Sequence, residues 1–297
     1  MDVLRKVYYA ISKDNLHSRR EIAESLGISV VTVGKAIESL TAKGIIKNCG
    51  KISGGLGRKS DFIEISNENK VLLVNLSENR FSYSLSPVSS DCIDVVSFPY
   101  VDSLDFTDNL LMFSSFLRDR LPCDLLKTII SIPGEYENGR ITNTVLGDYS
   151  GADLRDIFGN FISDDTIFIS SASAIKRSIS FGDDDVYVSL EATPWGTFGK
   201  NNLQNFSNIP VESKFNLTIS EAMKTSFVDN KNILRYVLHF LRVLDGVLSS
   251  DRILFASYFD EELIDEINIQ IPKLITVKSE DLIYDGLMEI AIDRIIG

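Results

Sequence analysis

The chain has 297 residues, 44% hydrophobic and 24% charged, an ordinary globular usage from which a sizeable core can be built. Its formal net charge is −12, and its 2 His and 3 widely spaced Cys exclude a disulfide framework or a metal site made of several imidazoles. It has neither an uninterrupted run of ~18 apolar residues nor a signal-like start, so a cytoplasmic protein with no membrane partner, metal or cofactor is expected.

The charge is unevenly spread. Residues 1–66 carry 11 Lys and Arg against 7 Asp and Glu, a net of +4, whereas the remainder carries 19 against 35, a net of −16. A small basic head on a large acidic body is the pattern expected where only the head meets a polyanion.

In the head, Val3, Leu4, Val7, Tyr8 and Ile11 at helical spacing predict a first helix over residues 2–12. Ser18 and Glu21 form a capping box for a second helix, RREIAESL, which Gly27 stops. Ser29 caps a third, from Val30 to Gly44, and Ile22, Ala23, Leu26, Ile28, Val33, Ile37 and Leu40 supply the shared core. Two short helices joined by a Gly-containing turn are a helix-turn-helix. IIKNCGK and DFIEI, separated by SGGLGRKS, then predict a hairpin with a basic tip, the wing.

In such a unit the third helix enters the major groove of double-stranded DNA. Its expected reading face is Val30, Val31, Thr32, Gly34, Lys35 and Ser39, with Ser29 at its start and Gly34 leaving room for close backbone approach. Arg58 and Lys59 on the wing are expected at the minor groove or the adjacent backbone, and Arg19 and Arg20 on phosphates. The alternative use of a winged helix is protein contact, which would make the chain an assembly adaptor.

The body opens with three strand-type runs, 71–77, 81–87 and 92–98, followed by a helix from about Ser103 to Leu121 and a buried strand, LLKTIIS. Strands at 166–170 and 186–190 flank the short helical run SASAIKRSI. The C-terminal part alternates a long amphipathic helix over 231–248, a strand RILFASY, a helix EELIDEI, a strand KLITVKS and a last helix DLIYDGLMEIAIDRII. Strand–helix alternation of this kind predicts α/β lobes. His239 in the long helix reads as a core or interface histidine, and Asp183–Asp185 as a solvated turn.

Several stretches together resemble the ROK family of sugar kinases and sugar-responsive repressors: SGGLGRKS at the wing, SIPGEYENGRIT, LGDYSGADLRDIF and LDGVLSSDRILFAS. The resemblance implies an α/β fold in which a winged helix-turn-helix (1–66) precedes a two-lobed actin-like ATPase (ribonuclease H-like) body, with lobes at 71–170 and 171–297. It also implies a palindromic operator, a homodimer or dimer of dimers, and a carbohydrate-like small-molecule effector as candidate partner. Residues 67–70 are the expected hinge between head and body.

Against the family's kinases, the chain departs where chemistry is done. Asn75 stands at the aspartate of the first phosphate turn and Ser77 at its glycine, while Glu191, Pro194 and Trp195 intrude on the second, Gly-rich turn. The stretch matching the family's E-N-D-A is Ile169-Ser170-Ser171-Ala172, without the carboxylate base that phosphoryl transfer to a hydroxyl needs. Residues 200–216 hold no Cys or His for the family's zinc motif, and Glu212 lacks the flanking residues of the family's sugar-binding glutamate. The expectation is a non-enzyme with no catalytic residues, whose cleft would be lined by Asn75, Ser170, Ser171 and Glu191. A sugar kinase with divergent phosphate loops is the alternative.

Overall fold

A computed structural model describes residues 2–52, 60–77, 80–89, 93–122, 125–142, 153–159, 165–180, 182–190, 194–198, 204–206, 210–212, 217–219, 221, 230–248, 250–257 and 259–297. The head holds helices α1 (Val3–Ser12), α2 (Arg19–Leu26) and α3 (Val30–Ala42), each started by a side-chain cap. The Asp2 carboxylate accepts from the Val3 N–H, and the Ser29 hydroxyl accepts from the Thr32 N–H at 3.1 Å. At α2 the capping box is complete: Ser18 Oγ accepts from the Glu21 N–H at 3.2 Å, and Glu21 accepts from the Ser18 N–H at 3.1 Å. Gly27 ends α2 at φ +63°, a conformation in which a Cβ would be strained. Val7, Tyr8, Ile11, Ile22, Val33, Ile37 and Leu40 close the core beneath these helices. β1 (Ile46–Ile52) and β2 (Ser60–Ile65) pair antiparallel with Ile46 opposite Ile65, giving the two strands of the predicted wing.

The body is built on two five-stranded sheets. The first comprises β3 (Lys70–Leu76), β4 (Phe81–Pro87), β5 (Val95–Phe98), β6 (Leu125–Ile132) and β9 (Ile167–Ser170), in the order β5-β4-β3-β6-β9. β7 (Glu135–Glu137) and β8 (Arg140–Thr142) form a small hairpin beside it. The second comprises β10 (Asp185–Leu190), β11 (Pro194–Phe198), β12 (Gln204–Asn205), β15 (Arg252–Ser257) and β16 (Leu274–Lys278), in the order β12-β11-β10-β15-β16. β13 (Pro210–Glu212) and β14 (Leu217–Thr218) pair separately. In each large sheet a three-stranded antiparallel meander is extended by two parallel strands, so the two halves repeat one plan.

Helices cover both faces of each sheet. α4 (Phe106–Arg118) and α5 (Leu154–Phe158) bury Phe106, Leu110, Phe113 and Phe158 against Leu72, Val74 and Leu76 of β3. α7 (Asn230–Leu248) and α8 (Glu261–Gln270) bury Phe240, Leu241 and Ile267 against Val186 and Val188 of β10. The inner faces, including Val71, Leu73, Ile129, Tyr187 and Leu254, meet α6 (Ser171–Ser178) and α9 (Ser279–Ile296). The period-2 alternation along β3 sends successive residues to opposite cores. Where α9 crosses α6, Gly286 lies so close that a Cβ would stand 1.8 Å from the Ala174 carbonyl oxygen. The helix predicted over 103–121 is shorter, because Asp105 caps it by accepting from the Asp108 N–H at 2.8 Å.

The inner core runs without a break into the head. Tyr8 donates its hydroxyl to the Val88 carbonyl at 2.9 Å, and Tyr9 donates to Glu289 of α9 at 2.5 Å. Arg5 pairs with Asp293, and Lys13 reaches Glu289 at 3.4 Å. Lys43, just past α3, donates to the Ile295 carbonyl at 2.7 Å and the Ile296 carbonyl at 3.4 Å, satisfying acceptors that the end of a helix leaves unpaired. The segment expected as a hinge is itself tied to the head. Asn69 Nδ2 donates to the Gly44 carbonyl at 2.9 Å.

Candidate nucleic-acid interface and central cleft

The outer face of the head is set by the register of α3. Val33, Ala36, Ile37 and Leu40 turn inward, leaving Val30, Val31, Lys35 and Glu38 exposed. Val30 is 50% exposed and Val31 71%, so the first turn of the helix presents two apolar side chains. An open depression between this turn and the start of α1 is bordered by Val31, Thr32 and Lys35 on one side and Asp2 and Val3 on the other. Thr32 is half-buried, its hydroxyl 2.8 Å from that of Ser29. Ser29 and Thr32 therefore shape the helix start as well as facing outward.

Gly34 departs from expectation. It is buried, on the face of α3 that meets α2, and a Cβ there would lie 3.6 Å from Nη1 of Arg19. A side chain there would make only an ordinary van der Waals contact with the half-buried arginine. Arg20 is exposed and pairs with Glu24 one turn on at 2.7 Å, an i,i+4 contact that solvent screens. The glutamate's pull, through the hydrogen bond first and its charge second, raises the Arg20 pKa further. Arg58 and Lys59 lie outside the described residues.

The cleft residues behave differently from one another. Asn75, at the C-terminal end of β3, is 7% exposed, and its Oδ1 has no hydrogen-bond partner among the described residues. In register beside it are Ser82 and Ser131. Ser131 Oγ donates to Ser171 Oγ at 3.2 Å, and Ser171 in turn donates to the Ile132 carbonyl at 3.1 Å. Ser170 caps α6, accepting from the Ser173 N–H at 3.3 Å. Both serines are thus held by β6 and α6 themselves. Ser77 Oγ donates to the Arg80 carbonyl at 2.5 Å. Glu191 lies outside the described residues.

Two further buried serines, which the sequence reading passed over, lie at strand ends of the second sheet. Ser189 near the end of β10 and Ser257 at the end of β15 are buried, and their hydroxyls also lack partners among the described residues. Ligands of open α/β sheets gather at the carboxyl ends of the strands. The available signal was a serine ending each of three apolar runs, TIIS, VYVS and ILFAS. Other polar groups are structural. Asp185 is held below the usual carboxylate range by the Arg252 guanidinium, which donates through Nε at 2.8 Å, and by the Gly182 N–H, against an opposing effect of burial. Asp185 is therefore a buried carboxylate paired with an exposed arginine and not part of a solvated turn, while Asp183 and Asp184 are exposed. His239, expected in the core or an interface, is exposed on α7. No cluster of metal-ligating side chains occurs among the described residues, and no described helix is long and apolar enough to cross a membrane.

The two sheets of repeated order, each packed on the central pair α6 and α9, define a two-lobed actin-like body behind a winged helix-turn-helix. The same combination of head and body is found in a solved structure of a different sequence, as the comparisons show. A sequence model of winged helix-turn-helix DNA-binding domains matches residues 2–47. Among solved structures, a ROK family transcriptional regulator described as a homologue of the E. coli MLC protein superposes with a TM-score of 0.58 at 12% identity, over 99% of this chain and 98% of that one. The body alone matches the inorganic polyphosphate/ATP-glucomannokinase of Arthrobacter sp. strain KM (TM-score 0.54, 10% identity, 76% of this chain and 100% of that one). It likewise matches a ROK family protein of Streptococcus pneumoniae TIGR4 in complex with sucrose (TM-score 0.51, 10% identity, 76% and 98%). No curated protein matches the sequence.

Proposed function

We propose that the protein is a DNA-binding transcriptional regulator, acting as a repressor, with a body that has lost phosphoryl transfer and serves dimerisation and effector sensing. The observation that carries this reading is the orientation of the head: α1 is bonded to the body through Arg5, Tyr9 and Lys13, while the first turn of α3 faces outward. Residues 1–66 are the DNA-binding unit in this reading, and 71–170 and 171–297 the two lobes. Val31, Thr32 and Lys35 face the major groove, with Ser29 and Arg20 at phosphates and Arg58 and Lys59 on the wing. Arg19 would join Arg20 at phosphates through its guanidinium, which lies beside Gly34 of α3.

The loss of catalysis is supported by the stretch Ile169-Ser170-Ser171-Ala172, which offers hydroxyls and no carboxylate to act as a base. A carbohydrate-like effector would meet Asn75 and Ser189, whose buried side-chain oxygens have no partner among the described residues. It alters DNA affinity only if it binds two head–body arrangements with different strength. A two-fold homodimer, or a dimer of dimers, in the cytoplasm would match a palindromic operator.

The test is a genomic-fragment pull-down with the purified full chain at moderate salt, compared with a Lys35→Ala/Arg58→Ala double variant. Enrichment of one palindromic site by the wild type, lost in the variant, is expected. Absence of selective, salt-dependent retention would move the adaptor reading to first place.

A further inference from the structure

We propose that Val30 and Val31 recognise thymine 5-methyl groups, so that the operator is read in the major groove chiefly through apolar contact. The inference rests on the DNA-binding reading above and deepens it. A helix entering the major groove usually presents hydrogen-bonding side chains to base edges. Here the first turn of α3 presents two exposed valines, while Ser29 and Thr32 are engaged with each other and with the helix start.

Folding gives no reason for these valines. At 50% and 71% exposure they contribute little to the core, and a β-branched residue is a poorer helix former than alanine. What valine offers is a rigid pair of methyl groups. In a helix its χ1 is almost confined to one rotamer, so little side-chain freedom is lost when a partner arrives. Thymine is the base that offers an apolar partner in the major groove. The surroundings suit this docking: Lys35 lies one turn on along the same exposed face, and the head as a whole carries a net of +4.

The experiment uses the full chain and a duplex that the wild type selects from a random-sequence library at fixed salt. Each thymine is then replaced by deoxyuridine, one position at a time, which removes the methyl and leaves the pairing edge unchanged. Wild-type affinity is expected to fall about fourfold, the effect of one buried methyl, at a few clustered positions in each half-site and nowhere else. Val31→Ala, checked for folding by circular dichroism, should lose a similar factor on the thymine duplex and become indifferent to uracil at its own position. Lys35→Ala should weaken thymine and uracil duplexes alike and flatten the salt dependence. Equal binding of all uracil duplexes, or a Val31→Ala protein that keeps its full thymine preference, overturns the inference while leaving DNA binding intact. Failure to select any duplex removes the DNA-binding reading itself and assigns the exposed pair to a protein contact.

Discussion

The head has two faces that use the same kinds of residue for different ends. Toward the body, Arg5, Lys13 and Lys43 are each engaged by α9, and Tyr9 is seated between burial and Glu289. Toward the outside, Lys35 is exposed together with two valines, Val30 and Val31, of α3. A net of +4 over residues 1–66 therefore overstates the charge available to a polyanion, because three of the 11 basic residues reach α9 and Arg20 is paired with Glu24. Where a basic residue sits relative to the body matters more than how many there are.

The strongest way to break the contrast is to remove the platform of the inner face. Gly286→Ala puts a methyl into the Ala174 carbonyl, forcing α6 and α9 apart. A loss of about 3 kcal/mol or more in urea unfolding is expected, with the head transition separating from that of the body.

A milder cut is Glu289→Ala, which removes the shared acceptor of Tyr9 and Lys13 at a position whose side chain is 22% exposed. The head should loosen by about 1–2 kcal/mol, visible as faster amide exchange in α1, while the α6–α9 packing is unchanged.

Titration supplies the smallest and most local probe. Burial first, and Glu289 second, push the Tyr9 phenol up to about 12 from an ordinary 10.0. A raised folded pKa means that this contact is fully present below about 10 and lost as pH rises through about 12. The tyrosinate absorbance of wild type minus Tyr9→Phe should therefore rise near pH 12, and an ordinary midpoint near 10.0 would place Tyr9 free of α9.

How much of this was legible in the sequence depends on whether a feature is local. The caps at Ser18 and Ser29, the stop at Gly27 and the inward face of α3 were readable because each is decided within a few residues. That Gly34 is buried beside Arg19 was not legible, because Arg19 belongs to another helix and helical spacing alone does not say which neighbour a residue meets. Asp185 looked like part of a solvated acidic run until Arg252, 67 residues away, closed on it. The cleft was read through positions borrowed from kinases, which drew attention to Ser170 and Ser171. Ser189 and Ser257, whose hydroxyls lack partners among the described residues, were overlooked because a serine ending an apolar strand carries no motif.

The bond from Tyr9 to Glu289 spans 280 residues, and that from Lys43 to Ile295 spans 252. The helices and wing of the head close within residues 1–66, so on the ribosome they acquire their core early. Their inner face must then wait until α9 has been synthesised. During that interval the reading surface of α3 is complete but points in no fixed direction relative to the rest of the chain. In the regulator reading proposed above, binding by a nascent or shortened chain would therefore report on the head alone, whereas any spacing between two half-sites would be imposed only once α9 is in place.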